Sequence, residues 1–225
     1  NPSLAKTLKS ISKGGISAFY QGHIANSIIE AIKGSGNQMS LEDLKNYEVI
    51  FRKPLTFNFR DKQILTNSLP SIGGSLLSLF LKYSEKSDLP DKLVSNQHLT
   101  QIYEAFKYME TIEKSPENLG SELFKILSDS GQSKRGATTH INIADKKGNA
   151  VSLTSSLGEG CGYFIEGTDI QLNNMLGESA LLPDGFHSWK PNVRLSSMMS
   201  PTLVLDKFGK PEIVTGSGGA GRIPY

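Results

Sequence analysis

Residues Gly136–Ser156 read GATTHINIADKKGNAVSLTSS and carry a strongly alternating pattern. Polar and apolar residues alternate over Thr139–Asp145 and again over Ala150–Ser156, and the turn formers KKGN separate the two runs. Alternation with a period of two, interrupted by a short polar turn, is typical of a β-hairpin. We therefore predict two antiparallel strands, with a pair of threonines, Thr138 and Thr139, at the start of the first strand.

The residues before this hairpin are mostly predicted to be helical. Apolar residues recur at helical spacing in two segments near the start, and we expect Ser3 to cap the first helix and Gly34 to end the second. Ser40 and Asp43 have the spacing of a capping box. Two strand-like runs, PLTFNF and QILTN, follow and are split by the turn Arg60–Lys62. Three further helices are predicted: one begins at Gly73, one lies near His98–Glu113 and one lies near Pro116–Leu127.

A second pair of strands is predicted after the first hairpin. Residues 202–216, TLVLDKFGKPEIVTG, alternate on both sides of a turn near Phe208 and Gly209. Helices come first and antiparallel strands afterwards, an order typical of an α+β or layered sandwich fold rather than of parallel βαβ units. The chain stops after a glycine-rich turn without a closing element, so we expect the intact protein to continue.

Composition restricts the classes of function. The 225 residues are 37% hydrophobic and 20% charged, which is typical of a soluble globular protein, and no apolar run reaches the roughly 18 residues of a membrane helix. The 24 basic and 22 acidic residues leave a net charge of +2, so we expect neither a nucleic-acid partner nor a membrane partner. The single cysteine, Cys161, excludes an internal disulfide, and the four histidines are not spaced as metal ligands.

The threonine pair has two interpretations. Threonine is a good strand former, so Thr138 could simply begin a strand. Its hydroxyl is also a nucleophile when a base lies within hydrogen-bond reach, and cutting the preceding peptide bond would supply the residue's own α-amine as that base. The polar stretch 128–137 ends in two small residues, Gly136 and Ala137. They would let the Thr138 hydroxyl approach the Ala137 carbonyl, as self-cleavage requires.

Several ordered blocks resemble the γ-glutamyltranspeptidase family of N-terminal nucleophile hydrolases. They are NPSLAKTLKSI, FYQGHIANSI, LEDLKNYEV and PSIGG in the helical half, then TTHINIADKKGNAVSLTSS, LNN, RLSSMMSPTLVL and TGSGGAGRI. The resemblance implies an αββα four-layer sandwich with antiparallel sheets, made as a precursor and cut between Ala137 and Thr138. Residues 1–137 would belong to the large-subunit segment and residues 138–225 would begin the small-subunit segment, within one structural domain.

The resemblance also implies catalytic roles. Thr138 would be the nucleophile, and Ser156 would stand where the family has a second threonine that hydrogen-bonds the nucleophile's hydroxyl. Gly216–Gly221 resembles the family's oxyanion loop, in which backbone N–H groups near Gly218 and Gly219 would face the developing charge. On the residues alone, an ordinary turn is the commoner role of such a glycine-rich stretch, whereas a dinucleotide fingerprint would need a helix and a βαβ unit that the pattern does not predict.

Substrate-binding roles are implied further along the chain. Ser196 and Ser197, in RLSSMMSPT, resemble the paired serines that hold the α-carboxylate of a γ-glutamyl donor, and Met198 is the alternative occupant of the second position. Glu178 falls near the family's acidic residue for the donor's α-amine. These residues would bind the two charged groups at the same end of the donor.

Other positions affect the expected specificity. The family has an asparagine near Gly158 that contacts the glutamyl group, whereas this chain reads LGEGCG there, and we expect Glu159 to compensate with a charge that alters the site. His140 is expected to pack or to orient its neighbours. We therefore predict a γ-glutamyl transferase or hydrolase that acts on glutathione or a related small molecule, with water or an amino acid as acceptor and no metal or organic cofactor. An acylase-type amidohydrolase and a non-catalytic binding module with the same fold are the alternatives.

Overall fold

The computed structural model describes residues 1–36, 39–88, 92–113, 138–178, 181–182 and 185–219. Their Cα positions form two compact units, the described residues of Asn1–Phe51 with Gly160–Asn174, and those of Arg52–Glu159 with Met175–Tyr225. In chain order the helices are α1 (Pro2–Tyr20), α2 (His23–Ile32), α3 (Leu41–Lys45), α4 (Ile72–Ser84) and α5 (Asn96–Glu113). The strands are β1 (Leu55–Phe59), β2 (Lys62–Thr66), β3 (Thr138–Ala144), β4 (Ala150–Ser156), β5 (Phe164–Ile165), β6 (Ile170–Gln171), β7 (Thr202–Leu205) and β8 (Pro211–Thr215).

A hydrophobic cluster holds the first unit together. Ile24 and Ile28 lie on the same face of α2, because residues four apart on a helix are neighbours, and Ile165 of β5 packs with them. All three side chains are at most 3% exposed. The buried Thr7 of α1 adds a polar link, since its hydroxyl donates a 2.9 Å hydrogen bond to the carbonyl of Thr168. The first unit therefore joins helices from the start of the chain to a hairpin far along it.

The helix caps of the first unit agree only partly with prediction. Asn1, not Ser3, caps α1, because the Asn1 Oδ1 accepts a 3.0 Å hydrogen bond from the Leu4 N–H. Both residue types are good caps, and the helix begins two residues earlier than the pattern suggested. At α3, the side chain of Ser40 accepts from the Asp43 N–H while the Asp43 carboxylate accepts from the Ser40 N–H, which confirms the predicted capping box.

The second unit contains a four-stranded antiparallel sheet in the order β1-β2-β7-β8. Two local hairpins form it, and they meet where β2 pairs with β7. At this seam the Thr202 hydroxyl donates a 3.1 Å hydrogen bond to the Thr66 hydroxyl, and both side chains are 3% exposed. Ile72 and Leu76 of α4 pack with Met198 in the hydrophobic cluster of this unit. Strands from before and after position 138 thus share one sheet.

The β3–β4 hairpin has a polar and an apolar face. Its register runs from Thr138 opposite Ser156 to Ala144 opposite Ala150. Because successive side chains of a strand point to opposite faces, the even-numbered residues of both strands lie on one face, and most of them are polar. The other face carries the side chains of Ile141, Ile143, Val151 and Leu153, which are 47–60% exposed.

These elements confirm the predicted combination of helices with antiparallel sheets, including both predicted hairpins. The helix predicted near Pro116–Leu127 lies outside the described residues. The four-layer order of the sandwich stays a prediction. None of the helices in the described ranges has both the length and the apolar character needed to cross a membrane.

Candidate active site

Two hydroxyl groups lie within hydrogen-bond distance at the open end of the β3–β4 hairpin. Thr138 begins β3 and pairs with Ser156, the last residue of β4. Since directly paired residues project to the same face of a sheet, Thr138 Oγ1 and Ser156 Oγ lie 3.0 Å apart. Both residues are half-buried, whereas Thr139 is exposed on the opposite face. The register also places Ser155 opposite Thr139 on the other face, but among the described residues a side-chain hydrogen bond joins only the Thr138–Ser156 pair of these two.

The Ser156 hydroxyl has a second partner that sets its direction. Its oxygen accepts a 3.0 Å hydrogen bond from the Gly158 N–H. A serine hydroxyl has one hydrogen to donate and two lone pairs to accept with, so the hydrogen of Ser156 is available to Thr138 Oγ1. In that arrangement Thr138 keeps its own hydrogen for transfer to a base. Ser156 would then stabilise negative charge that develops on Thr138 Oγ1.

The glycine-rich stretch after β8 lies against the backbone of Thr138. A Cβ atom added to Gly218 would be 2.5 Å from the Thr138 carbonyl oxygen and 3.1 Å from its carbonyl carbon, so this approach requires glycine. Gly219 has a φ of 132°, which residues with side chains rarely adopt. The predicted oxyanion residues are therefore next to the predicted nucleophile. Ala137 and residues 220–221 lie outside the described residues.

His140 joins the hairpin to the same glycine-rich stretch. Its Nε2 is 2.8 Å from Asn142 Oδ1, and its Nδ1 is 2.8 Å from Thr154 Oγ1. Because an amide oxygen only accepts, Nε2 carries the hydrogen, and in the neutral imidazole Nδ1 accepts from the Thr154 hydroxyl. A Cβ on Gly216 would lie 2.7 Å from Nδ1, so the imidazole packs directly on the backbone of Gly216. These contacts support the orienting role expected for His140.

The polar neighbours of His140 were missed by sequence reasoning. Besides Asn142 and Thr154, they include Ser152, whose Oγ lies 2.8 Å from the Thr215 carbonyl oxygen at the end of β8. Ser152 Oγ is also 3.0 Å from Asn142 Oδ1. A signal for these residues existed, since period-two alternation puts every second residue of a strand on the face that carries Thr138. His140 and these polar neighbours connect β3 and β4 to the end of β8, where the glycine-rich stretch begins.

Ser196 and Ser197 lie in a segment held by the start of α4. The Ser197 carbonyl accepts a 2.7 Å hydrogen bond from the Ile72 N–H, and the Ser197 Oγ accepts a 3.0 Å bond from the Met199 N–H. Met198 is 7% exposed and belongs to the hydrophobic core. A buried methionine cannot donate hydrogen bonds to a substrate carboxylate, which favours Ser197 over Met198 for the second serine position.

Glu159 and Glu178 lie close to one another. Glu178 is half-buried and accepts a hydrogen bond from the backbone N–H of Glu159. Burial is the main cause that raises the pKa of the Glu178 carboxyl above its usual value, and the negative charge of Glu159 raises it further. Glu159 also follows Gly158, whose N–H binds the Ser156 hydroxyl. The turn after β4 thus connects the hydroxyl pair with the two carboxylates along the chain.

The predicted site residues form three groups in the second unit. The structure brings Thr138, Ser156 and Gly218 together, and it brings Glu159 to Glu178. Among the described residues, no hydrogen bond joins Ser196 or Ser197 to either group. The same described ranges contain no group of three or more His, Cys, Asp and Glu side chains that could hold a metal ion.

A family model and several known proteins match almost the whole chain. The family model described as gamma-glutamyltranspeptidase matches residues 1–124 and 111–225. The glutathione hydrolase proenzyme of Bacillus subtilis is 27% identical over 266 residues, which cover 98% of this chain and 45% of that protein. The capsule biosynthesis protein CapD proenzyme of Bacillus anthracis is 32% identical over 243 residues, which cover 98% of this chain and 43% of that protein.

A solved structure supports the fold. The crystal structure of cephalosporin acylase from Bacillus halodurans superposes with a TM-score of 0.74 over 99% of this chain and 45% of its own chain, at 22% identity. The chain spans less than half the length of these curated relatives. Since the family model matches it from end to end and the CapD proenzyme is 32% identical across 98% of it, this chain belongs to the γ-glutamyltranspeptidase family.

Proposed function

We propose that this chain carries the nucleophile of a self-processing enzyme that hydrolyses or transfers γ-glutamyl groups. The observation that carries the proposal is the 3.0 Å contact between Thr138 Oγ1 and Ser156 Oγ. The backbone of Gly218 lies against Thr138 and leaves no room for a side chain at position 218. A hydroxyl nucleophile, a hydroxyl that donates to it and a main-chain loop beside it are the components of an acyl-transfer site. Several relatives are named glutathione hydrolase proenzymes.

Maturation is the first proposed reaction. The Thr138 hydroxyl attacks the carbonyl carbon of Ala137, and the peptide bond between them gives way to an ester. Water then hydrolyses the ester, so that Ala137 ends in a carboxylate and Thr138 gains a free α-amine. That amine has a reference pKa of about 7.7–8.0, so near neutral pH a substantial fraction is unprotonated and able to act as a base.

Cleavage at this point is compatible with a folded product. Each compact unit combines residues from before and after position 138. Strands β1 and β2 share a sheet with β7 and β8, with the buried contact between Thr66 and Thr202 at the seam. The two products would therefore stay together as large and small subunits, divided at 137 and 138 within one αββα sandwich.

Turnover uses the same hydroxyl. The α-amine of Thr138 takes the proton from Oγ1 as the oxygen attacks the γ-carbonyl of the donor, and Ser156 donates a hydrogen bond to Oγ1 before attack. Backbone N–H groups of Gly218 and Gly219 stabilise the oxyanion. The amine proton passes to the leaving nitrogen, which leaves an acyl ester on Thr138. Water resolves this ester in hydrolysis, and an amino acid or peptide amine resolves it in transfer.

The charged end of the donor is assigned to the two other groups. Ser196 and Ser197 donate hydrogen bonds to the α-carboxylate, and the Glu178 carboxylate accepts from the α-ammonium group. Glu159 adds a second negative charge beside Glu178. This charge also motivates the main alternative, an acylase-type amidohydrolase, because a different electrostatic environment would select a different acyl group. A non-catalytic binding module is the second alternative.

The test is release of p-nitroaniline from γ-glutamyl-p-nitroanilide by the full-length protein. We expect the wild type to release it and Thr138→Ala to release none. Thr139→Ala is the matched control, because Thr139 is exposed on the other face of the hairpin and should be dispensable. Equal activity of wild type and Thr138→Ala would refute the proposal. Self-cleavage without γ-glutamyl turnover would favour the acylase, and neither reaction would favour the binding module.

A further inference from the structure

The start of α4 and the segment Ser197–Met199 are interlocked through their backbones. The Ser197 carbonyl accepts from the Ile72 N–H at 2.7 Å and from the Gly73 N–H at 3.4 Å. The hydroxyl of Ser71, which is 8% exposed, lies 2.5 Å from the Met199 carbonyl oxygen. The first N–H groups of a helix need acceptors from outside the helix, and here the serine segment supplies one.

Two glycines make this approach possible. A Cβ added to Gly73 would lie 2.7 Å from the Met198 carbonyl carbon and closer still to its oxygen. A Cβ on Gly74 would lie 3.0 Å from the Asn67 carbonyl carbon, again closer to the oxygen. Glycine disfavours a helix by about 1 kcal/mol relative to alanine. Intrinsic propensity would thus favour alanine at both positions, and close packing against neighbouring backbone excludes it.

The position of this segment decides where the two serine hydroxyls lie. A serine side chain has a single rotatable bond to its oxygen, so moving the backbone moves the hydroxyl by a similar distance. The Ser197 Oγ already accepts from the Met199 N–H, which leaves its hydrogen to donate. Within the described part of the chain Ser196 Oγ makes no hydrogen bond, so its hydroxyl is available to a ligand.

We propose that Ser71 and Gly73 are positioning residues that set the affinity for the donor's α-carboxylate by holding Ser196 and Ser197 in place. This inference rests on the proposed function, in which these serines bind that carboxylate. Neither positioning residue touches the reacting atoms. They act through the backbone of the serine segment, and a displacement of about 1 Å in a binding group is enough to lose most of its hydrogen-bond energy.

Two acyl-donor substrates distinguish a positioning role of Ser71 and Gly73 from a general effect on stability. γ-Glutamyl-p-nitroanilide carries the α-carboxylate, and 4-aminobutanoyl-p-nitroanilide lacks only that group. For Gly73→Ala in the full-length protein, we expect KM for the first donor to rise by about tenfold or more, since hydrogen bonds to a charged group are lost. We expect kcat for the first donor, and kcat/KM for the second, to change little.

Two further variants complete the test. Ser71→Ala removes the hydroxyl bonded to Met199 without adding an atom, and it should raise the same KM if Gly73→Ala does not fold. Leu79→Ala is the control, because Leu79 packs on the core that contains Ile72 but makes no hydrogen bond to the serine segment. It should lower the melting temperature and leave the preference between the two donors unchanged.

The outcomes distinguish this inference from the proposed function. Equal losses on both donors in Gly73→Ala and Ser71→Ala, or an unchanged KM in both, would overturn the inference alone. A wild-type protein that releases p-nitroaniline from neither donor would overturn the proposed function and the inference with it. A selective rise in KM for the carboxylate-bearing donor, absent in Leu79→Ala, would support both.

Discussion

Replacing Gly218 with alanine should disable the site without unfolding the protein. The added Cβ would start 2.5 Å from the Thr138 carbonyl oxygen, so the loop and the strand must separate by about 0.5–0.9 Å to restore a tolerable contact. The φ of Gly218 is not in the left-handed region, so alanine brings no backbone strain of its own. The whole effect therefore comes from moving the loop away from Thr138.

The displacement of the loop should lower kcat. A hydrogen bond weakens steeply when its donor moves by more than a few tenths of an ångström, and losing one oxyanion donor typically costs about 10²–10³ in kcat. We expect Gly218→Ala to lose about 100-fold in kcat on γ-glutamyl-p-nitroanilide. Steady-state kinetics measures this loss, and circular dichroism and thermal melting of the same samples report the fold.

A second glycine in the same part of the chain supplies the control. Gly209 lies in the β7–β8 turn with a φ of 77° and nothing within 4 Å of an added Cβ. Gly209→Ala should therefore lower stability through backbone strain and leave kcat nearly unchanged. If Gly218→Ala keeps wild-type kcat, or if Gly209→Ala loses as much, the glycine-rich stretch is not the oxyanion loop.

Other side chains lead to further predictions. Ser156→Ala should lower kcat about 10- to 100-fold by removing a hydrogen bond to a charged oxygen, whereas Ser156→Thr should keep most activity; equal losses in both would contradict the assigned role. His140→Ala should lower kcat more than it raises KM, because the packing on Gly216 is lost; a change in KM alone would argue against it. The Glu178 pKa is raised, and the proposed function assigns binding of the α-ammonium group to its ionised form, so donor binding should weaken as pH falls through this raised pKa. Glu159→Gln removes a negative charge that raises this pKa, so the acid limb of the kcat/KM profile should move to lower pH; a shift to higher pH would refute the assignment.

The local structure around the site was predictable because it depends on short-range patterns. Alternation over Gly136–Ser156 fixes a hairpin, and the register of that hairpin puts Ser156 opposite Thr138. The same period puts His140 on the face of Thr138. The capping box at Ser40 and Asp43 depends on a spacing of three residues and was predictable for the same reason.

Contacts between distant segments were not predictable from such patterns. Nothing local to β2 specifies β7 as its neighbour, and the bond between Thr66 and Thr202 spans 136 residues. The sequence left Ser197 and Met198 as alternatives for the second serine position, and the burial of Met198 against α4, which favours Ser197, could not be predicted from local patterns. The approach of Glu159 to Glu178 likewise depends on tertiary packing, which no spacing encodes.

In the proposed maturation, Thr138 becomes the first residue of a new chain. Intact mass measurement and N-terminal sequencing of the purified full-length protein test this claim most directly. We expect two fragments, one of which begins Thr138-Thr139-His140, and a single uncut chain for Thr138→Ala. A wild-type protein that stays in one piece, or that is cut at another bond, would contradict it.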